Sequence, residues 1–306
     1  MADKKYRVGI IGGGAVGLTY AACLAKSANV IVKTRRSNQA AKIVNEGISL
    51  FQDEAEETFS GIDASTDPSK LHDCDAVIIT VKSFDTAVAA KEISSFLSPT
   101  AEVVSLQNGL EALAILKSNI ENPDRVFAGV TYVGGTRLDD RSVKLGNNRK
   151  TVIDSGAIKL IEALRQSKYG VEPSTNIRQA VWGKMVLSTA QNALSAITNL
   201  TLGEMLLSED CLDIAAKLLD EFEAVARAEG ISFNYDLMEK LRDNWKGMDS
   251  WKMSSFRPSM WQDLHKGSRT EIDAINGAVS KLGEKHNIST PYNSMITSLV
   301  KVLQSS

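Results

Sequence analysis

The chain has 306 residues, a length that suits two domains of ordinary size. Hydrophobic residues make up 43% of the sequence and charged residues 24%, the balance of a globular protein with a sizeable core. A formal net charge of −2 excludes a strongly basic nucleic-acid-binding protein and a disordered polyelectrolyte.

The first residues predict a strand, a glycine turn, a helix and a second strand. An apolar run at residues 7–11 leads into a glycine cluster, and an alanine-rich segment at 18–26 favours a helix. A second apolar run follows at 30–32. This order and length are typical of a βαβ unit.

The glycine cluster has the spacing of a dinucleotide-binding turn. Gly12 allows a tight turn, Gly14 lets the backbone approach a pyrophosphate, and Gly17 permits close helix–strand packing. Glycine clusters also form plain turns, but a preceding strand and a following helix favour dinucleotide binding. The expected cofactor contacts are Gly12, Gly13, Gly14, Ala15, Val16 and Gly17.

The end of the second strand indicates which dinucleotide binds. NAD sites usually carry an acidic residue about 20 residues after the glycines, but no Asp or Glu lies between Asp3 and Glu46. The strand instead ends in Lys33-Thr34-Arg35-Arg36, and guanidinium groups there suit a 2′-phosphate. A solvated basic turn is the alternative, and some NAD enzymes lack the acid. The pattern favours NADPH over NADH.

The rest of the first half predicts a parallel α/β sheet. Apolar runs at 75–81 and 102–106 flank an amphipathic helix at 84–97. Residues 126–153 combine β-type residues with turn signals, which predicts antiparallel strands and hairpins. We therefore expect a Rossmann-type dinucleotide-binding domain at residues 1–175.

The second half predicts an all-helical domain at residues 176–306. Pro291 suits the first turn of a helix, and Gly230 suits a helix end. Helical periodicity covers 176–199, 203–229, 235–246, 268–286 and 291–303.

The first of these helices carries a polar stripe on an otherwise apolar segment. Residues 185–203 lack charge but hold too many polar side chains for a lipid-facing span, so we expect a buried or site-lining helix. A lysine at its head could act as a hydride-transfer acid, its pKa lowered by apolar surroundings, or could simply reach solvent at a helix end. The stripe consists of Lys184, Ser188, Gln191, Asn192 and Ser195.

Two further patterns concern single residues. Ser268 and Glu271 have the spacing of a capping box, so helix capping is the simplest role for Glu271. The three cysteines and three histidines have no metal-site spacing, and the opening residues lack the apolar region of a signal peptide. We therefore expect a cytoplasmic protein without a metal, a nucleic-acid partner or a membrane span.

Taken together, the motifs resemble those of the 2-dehydropantoate 2-reductases, also called ketopantoate reductases. The likeness extends over almost the whole chain. Its most specific part is Arg257–Asp263 followed eight residues later by Glu271–Gly277. The other matching segments are Ile11–Leu18, Thr80–Ser83, Leu106–Glu111 and Trp182–Lys184.

The resemblance implies NADPH-dependent reduction of ketopantoate to (R)-pantoate in the pantothenate pathway. It also implies a Rossmann-type domain, a helical domain like the C-terminal domain of 6-phosphogluconate dehydrogenase, and a monomer or homodimer with a substrate cleft between its domains. Lys184 matches the family's catalytic lysine, which protonates the developing alkoxide, and Glu271 matches a carboxylate at the active centre. Asn192 and Ser259 match substrate-binding positions.

The resemblance also assigns cofactor contacts. Asn108 matches the asparagine near the nicotinamide ribose, and Lys82 matches a lysine beside the cofactor. Arg35 matches the basic residue for the 2′-phosphate, a role that Arg36 could share.

Two departures from the family pattern bear on the substrate. Ser188 replaces an asparagine one turn after the catalytic lysine, and Leu202 stands where some members have another asparagine. If Leu202 faces the substrate, an apolar chain is favoured, and we expect turnover of ketopantoate with measurable activity on 2-oxoisovalerate. The alternatives are a D-2-hydroxyacid dehydrogenase for other branched or aromatic 2-oxoacids, some of which use NADH, and a non-catalytic nucleotide sensor.

Overall fold

The structure, a computed structural model, describes residues 5–146, 148–167, 170–246 and 256–305. The chain divides into two units, each with its own hydrophobic core. Unit 1 spans Met1–Gln107 and Ala112–Ile177, and unit 2 spans Asn108–Glu111 and Arg178–Ser306. The short segment Asn108–Glu111 therefore leaves unit 1 and packs with the helical unit.

Unit 1 is an α/β domain. Its helices are α1 (Ala15–Leu24), α2 (Ser37–Glu46), α3 (Thr86–Ser94), α4 (Ala112–Lys117) and α5 (Ile158–Arg165). Its strands are β1 (Arg7–Ile11), β2 (Asn29–Lys33), β3 (Ile48–Gln52), β4 (Ala55–Phe59), β5 (Asp63–Ser65), β6 (Ala76–Ile79), β7 (Glu102–Ser105), β8 (Val126–Thr131), β9 (Gly135–Arg137), β10 (Ser142–Leu145), β11 (Thr151–Asp154) and β12 (Val171–Ser174).

The described part of unit 1 contains a mainly parallel sheet in the order β12-β11-β8-β7-β6-β1-β2-β5. Strand β1 lies between β2 and β6, and Gly9 is in register with Ile31 on one side and Val77 on the other. Such central strands are apolar throughout because both faces are covered. The predicted Rossmann-type sheet is confirmed, and its central strands end beside the glycine turn.

The region 126–153 differs in part from the prediction of antiparallel hairpins. Strand β8 extends the parallel sheet by pairing with β7, and only β11 runs antiparallel to it. Strands β9 and β10 form the expected hairpin, but β10 also pairs in parallel with β3 in a second sheet of order β4-β3-β10-β9. Local turn signals could not identify these partners, because β3 is far away in the sequence.

Unit 2 is helical. Pro291 begins its last helix, and Gly230 follows the end of another with φ +79°, so both terminal signals read from the sequence are confirmed. Its helices are α6 (Ile177–Thr198), α7 (Leu202–Leu207), α8 (Glu209–Ala228), α9 (Leu237–Lys246), α10 (Ser259–His265), α11 (Asn276–His286) and α12 (Pro291–Gln304).

Two predicted helices of unit 2 are wrong in extent. The segment 203–229 forms α7 and α8, because the Ser208 side chain accepts the backbone N–H of Cys211 and starts a new helix. The segment 268–286 becomes helical only at Asn276, after a 3₁₀ turn at Ile272–Ala274. The apolar periodicity continues through both interruptions, so the periodicity alone does not predict where the helices break.

A carboxylate from α8 caps the N-terminus of α12. Glu221 is buried and accepts the backbone N–H groups of Tyr292 and Asn293, each at 2.9 Å. It also accepts the Asn293 side-chain amide at 2.7 Å. Three donors satisfy the buried charge, and the positive end of the helix dipole favours it. This contact fixes α8 against α12.

Replacing Glu221 with glutamine is expected to lower the free energy of unfolding by about 2–3 kcal/mol. The amide places an NH₂ group where one carboxylate oxygen accepted a backbone N–H, so that buried N–H loses its acceptor. Urea denaturation of both proteins measures the difference. Glu223→Gln is the matched control on the same helix, since Glu223 only pairs with Arg227 at the surface, and such pairs contribute about 0–1 kcal/mol. Equal stability losses in the two variants would contradict the capping role.

Candidate active site and cofactor site

The glycine turn between β1 and α1 contains two positions that require glycine and one that is open to the surroundings. Gly12 has φ +118°, a conformation that favours glycine. A Cβ atom at Gly17 would overlap the Gly12 carbonyl oxygen, so glycine is needed there for helix–strand packing. A Cβ at Gly14 would meet no protein atom within 4 Å. The backbone at Gly14 is therefore open to a ligand at the start of α1.

Two side chains that the sequence did not single out support this turn. Gln39 on α2 is buried and donates through Nε2 to the carbonyls of Gly13 at 2.8 Å and Asp140 at 2.9 Å. Thr80, which follows β6, donates through its hydroxyl to the carbonyls of Ile11 and Gly12. These hydrogen bonds join residues that are far apart in the sequence, so no local sequence pattern predicts them.

The basic residues at the end of β2 and just after it differ in their availability to a ligand. Lys33 is buried against Glu92, and Arg36 pairs with Asp140. The Arg35 side chain is 81% exposed, although it contacts Asp85 at 3.1 Å. Of the three cations, Arg35 is thus the most accessible to a ligand.

Lys82 comes shortly after β6, two residues beyond the Thr80 that bonds the glycine turn. It is half-buried and immediately precedes the 3₁₀ turn Ser83–Asp85. The structure therefore places the Lys82 side chain on the segment that follows β6, the strand that pairs with β1.

A second constellation lies within unit 2 and joins three residues named from the sequence. Lys184 donates through Nζ to the side-chain oxygen of Asn108 at 2.6 Å. Gly109 has φ +109°, and a Cβ there would meet the Ala274 carbonyl oxygen at 2.8 Å, so the 108–111 segment packs tightly beside the Glu271 segment. Lys184 is half-buried and lies about two turns after the start of α6 rather than at a helix end.

The environment of Lys184 changes its acidity. Burial lowers the pKa of Lys184 to about 8, and the Glu271 carboxylate opposes this by raising it. A lysine with a pKa near neutrality can hold or release its proton readily, and the Asn108 bond fixes its direction. Asn108, Lys184 and Glu271 thus form a partly buried group suited to proton transfer.

The remaining polar positions of α6 follow Lys184 along the helix. Ser188 is half-buried one turn away, and Asn192 is buried one turn further. Ser195, by contrast, donates its hydroxyl to the Leu200 carbonyl at 2.6 Å. This hydrogen bond joins the last turn of α6 to the residues that follow the helix. Ser188, Gln191 and Asn192 therefore remain the candidates of this stripe for ligand contacts.

One expectation for this region is wrong, and the condition attached to another is not met. The capping box at Ser268 and Glu271 does not form, since no helix starts there and Glu271 makes no side-chain cap to the 3₁₀ turn that follows it. Leu202 is 0% exposed in the helical core, where it begins α7 after a capping box formed by Thr201 and Glu204. Packing in the core therefore removes the apolar effect on substrates that Leu202 would have at an open surface.

Ser259 lies apart from these contacts. It is exposed at the first position of α10, directly after Pro258. The structure thus brings Asn108, Lys184 and Glu271 together, sets Ser188 and Asn192 on the lysine's helix, and places Ser259 on a different helix.

No group of three or more His, Cys, Asp or Glu side chains in the described part of the chain could hold a metal ion. Nor does any helix there have the length and apolar character needed to cross a membrane.

Comparison with known proteins identifies the family. The family model for ketopantoate reductase PanE/ApbA matches residues 8–157, and the model for its C-terminal region matches residues 176–304. A solved PanE/ApbA family ketopantoate reductase from Ralstonia eutropha JMP134 is 33% identical, with a TM-score of 0.89 and 98% of each chain covered.

Two further proteins resemble the chain along its length. A 2-dehydropantoate 2-reductase of Halobacterium salinarum is 26% identical over 97% of this chain and 99% of its own. D-mandelate dehydrogenase, solved with NADH and anilino(oxo)acetate, shares the fold at 24% identity, with a TM-score of 0.89 and 98% of both chains covered. The chain belongs to the ketopantoate reductase (PanE/ApbA) family and is an NAD(P)-dependent oxidoreductase that acts on CH–OH groups.

Proposed function

We propose that the protein catalyses the NADPH-dependent reduction of ketopantoate to (R)-pantoate. The observation that carries this proposal is the Lys184–Asn108 hydrogen bond beside Glu271, with the pKa of Lys184 lowered to about 8 by burial. The name carried by the curated relative from Halobacterium salinarum supports the substrate. We assign cofactor binding to residues 1–175 and catalysis to residues 176–306.

In this proposal Lys184 is the general acid. When bound, a nicotinamide dinucleotide supplies a hydride to the carbonyl carbon of the 2-oxoacid. The protonated Nζ atom of Lys184 gives its proton to the carbonyl oxygen, which completes a 2-hydroxyacid. Asn108 aims the ammonium group, and Glu271 keeps enough of the lysine protonated near neutral pH by raising its pKa.

Substrate contacts are proposed for three further side chains. Ser188 and Asn192 extend from Lys184 along one side of α6 and carry hydroxyl and amide groups suited to the substrate hydroxyl and carboxylate. Ser259 adds a hydroxyl at the start of α10.

The residues of unit 1 fit a dinucleotide. The open backbone at Gly14 and the absence of acidic side chains in the first turn of α1 suit a pyrophosphate. Arg35 would hold the 2′-phosphate of NADPH, and Lys82 would lie beside the cofactor. The exposure of Arg35 supports NADPH as the preferred form.

Replacing Arg35 with alanine is expected to weaken NADPH binding by roughly 1.5–3 kcal/mol through the loss of a charged hydrogen bond. NADH binding should change little, since NADH lacks the 2′-phosphate. Titration of the purified protein with each cofactor measures both dissociation constants. Arg36→Ala is the control, with a smaller expected effect because Arg36 already pairs with Asp140. An unchanged NADPH-to-NADH ratio in Arg35→Ala would refute the assignment.

A second candidate is a D-2-hydroxyacid dehydrogenase for other branched or aromatic 2-oxoacids. Ser188 favours it, since a hydroxyl stands where many family members offer an amide to the substrate. The likeness to D-mandelate dehydrogenase, which was solved with NADH, fits the same alternative.

Oxidation of NADPH and NADH with a panel of 2-oxoacids that includes ketopantoate distinguishes the candidates. Ketopantoate reduction with NADPH as the best pair supports the proposal, and better turnover of an aromatic oxoacid with NADH supports the second candidate. Cofactor binding without turnover of any oxoacid would indicate a nucleotide sensor.

A further inference from the structure

The carboxylate of Asp85 lies beside Arg35, the residue proposed to hold the 2′-phosphate. It accepts a hydrogen bond from Arg35 Nη1 at 3.1 Å, although 50 residues separate the two in the sequence. Arg35 follows β2 and Asp85 follows β6, and each of these strands pairs with β1. The sheet therefore places an acidic residue beside the cation proposed to select NADPH.

The position of Asp85 gives its side chain no evident role in folding. It precedes α3 as the N-cap residue, but its carboxylate makes no cap hydrogen bond to that helix, whose first residues are all described. Its side chain is 27% exposed, so it remains in contact with solvent and ligands. An exposed ion pair of this kind contributes little to stability.

We propose that Asp85 moderates the cofactor preference by competing with the 2′-phosphate for Arg35. This inference rests on the proposed assignment of Arg35. A guanidinium group can bind two anions at once, but a dianionic phosphate then approaches a carboxylate of like charge. At a separation of about 6 Å in a water-like medium, that repulsion weakens phosphate binding by roughly three- to tenfold.

The same geometry predicts a different effect on NADH. A ribose 2′-hydroxyl carries no charge and does not need Arg35, so the carboxylate imposes no such penalty. An arginine with no acidic neighbour offers its whole positive charge to a phosphate, whereas Arg35 is partly neutralised by Asp85. Asp85 therefore lowers the NADPH-to-NADH affinity ratio without contacting the reacting atoms.

Binding of NADPH and NADH to wild-type protein and to Asp85→Asn, measured by calorimetric titration at low and high salt, tests the proposal. We expect the variant to bind NADPH about three- to tenfold more tightly at low salt, with a smaller gain at high salt. NADH affinity should change by less than about twofold, since that ligand lacks the phosphate charge. Asp213→Asn is the matched control, since it removes an equal charge from an exposed ion pair in the other unit.

Weaker NADPH binding by Asp85→Asn, or equal changes for both cofactors, would overturn the proposal. Asp85→Ser provides a second variant if the first does not fold, with the same expected shift. Failure of the wild type to bind NADPH would overturn both this inference and the proposed cofactor. NADPH binding without 2-oxoacid turnover would contradict only the proposed reaction, since the binding ratio still tests Asp85.

Discussion

Replacing Lys184 with alanine is expected to lower kcat for 2-oxoacid reduction by about 10²–10⁴. The proton that Nζ delivers is needed only as negative charge develops on the carbonyl oxygen, so its loss raises the barrier of the chemical step. NADPH affinity should be nearly unchanged, because the proposed 2′-phosphate and pyrophosphate contacts lie in unit 1. Steady-state kinetics and NADPH titration of both proteins measure these effects.

The pH dependence gives the same prediction a second readout. Reduction requires the protonated lysine, so the wild-type kcat/KM should fall as pH rises through about 8, the pKa to which burial lowers Lys184. Oxidation of the hydroxyacid requires the neutral lysine and should rise over the same range. Lys217→Ala, which removes a lysine from a surface ion pair, should retain both profiles. A Lys184→Ala variant with normal kcat and only a raised KM would show that Lys184 binds the substrate but is not the general acid.

Replacing Glu271 with glutamine is expected to lower kcat/KM at pH 8 by about 5–50-fold, because removing an opposite charge lowers the pKa of Lys184 by about 1–2 units and leaves less of the lysine protonated. It should also move the alkaline limb of the reduction profile to lower pH. The sign follows because the Glu271 carboxylate raises the pKa of Lys184 against the larger, opposite effect of burial, so a neutral amide lets that pKa fall below about 8. A pH profile of kcat/KM records both changes.

Asp273→Asn is the matched control for Glu271. Asp273 is two residues further along, exposed, and paired with Lys301 at 2.6 Å. Its replacement should leave the alkaline limb in place. If both variants shift the limb equally, or if Glu271→Gln moves it to higher pH, Glu271 does not set the acidity of Lys184.

The fold was predictable where a local pattern dictates it. The glycine spacing between two apolar runs predicted the turn whose Gly12 backbone is confirmed at φ +118°. Pro291 and Gly230 marked helix ends in the same way. In each case a residue type that the local backbone conformation favours stands at the position, so the sequence carries the information without reference to the rest of the chain.

Structural features that depend on distant partners were not predictable. The role of Glu271 in capping seemed plausible from its spacing after Ser268, yet the segment is instead arranged so that the carboxylate influences Lys184. Leu202 would favour apolar substrates only if it faced them, and its place in the core was not visible in the sequence. The Arg35–Asp85 pair joins two strand ends that only the sheet brings together. The substrate and cofactor roles of the site residues remain predictions.

The central claim is that the protein is an NADPH-dependent ketopantoate reductase. It is tested most directly by comparing kcat/KM for ketopantoate and for 3,3-dimethyl-2-oxobutanoate, which lacks only the substrate hydroxyl, with 2-oxoisovalerate as a smaller branched oxoacid. Leu202 is buried, and Asn192 and Ser188 retain polar groups, so we predict a higher kcat/KM for ketopantoate than for either analogue. Because Ser188 replaces an amide, we expect the ratio of the kcat/KM values to stay below the ~10⁴–10⁵ reached by sites built to bind a substrate hydroxyl. Ser188→Asn should increase that preference. A higher kcat/KM for either oxoacid without the hydroxyl would contradict the claim.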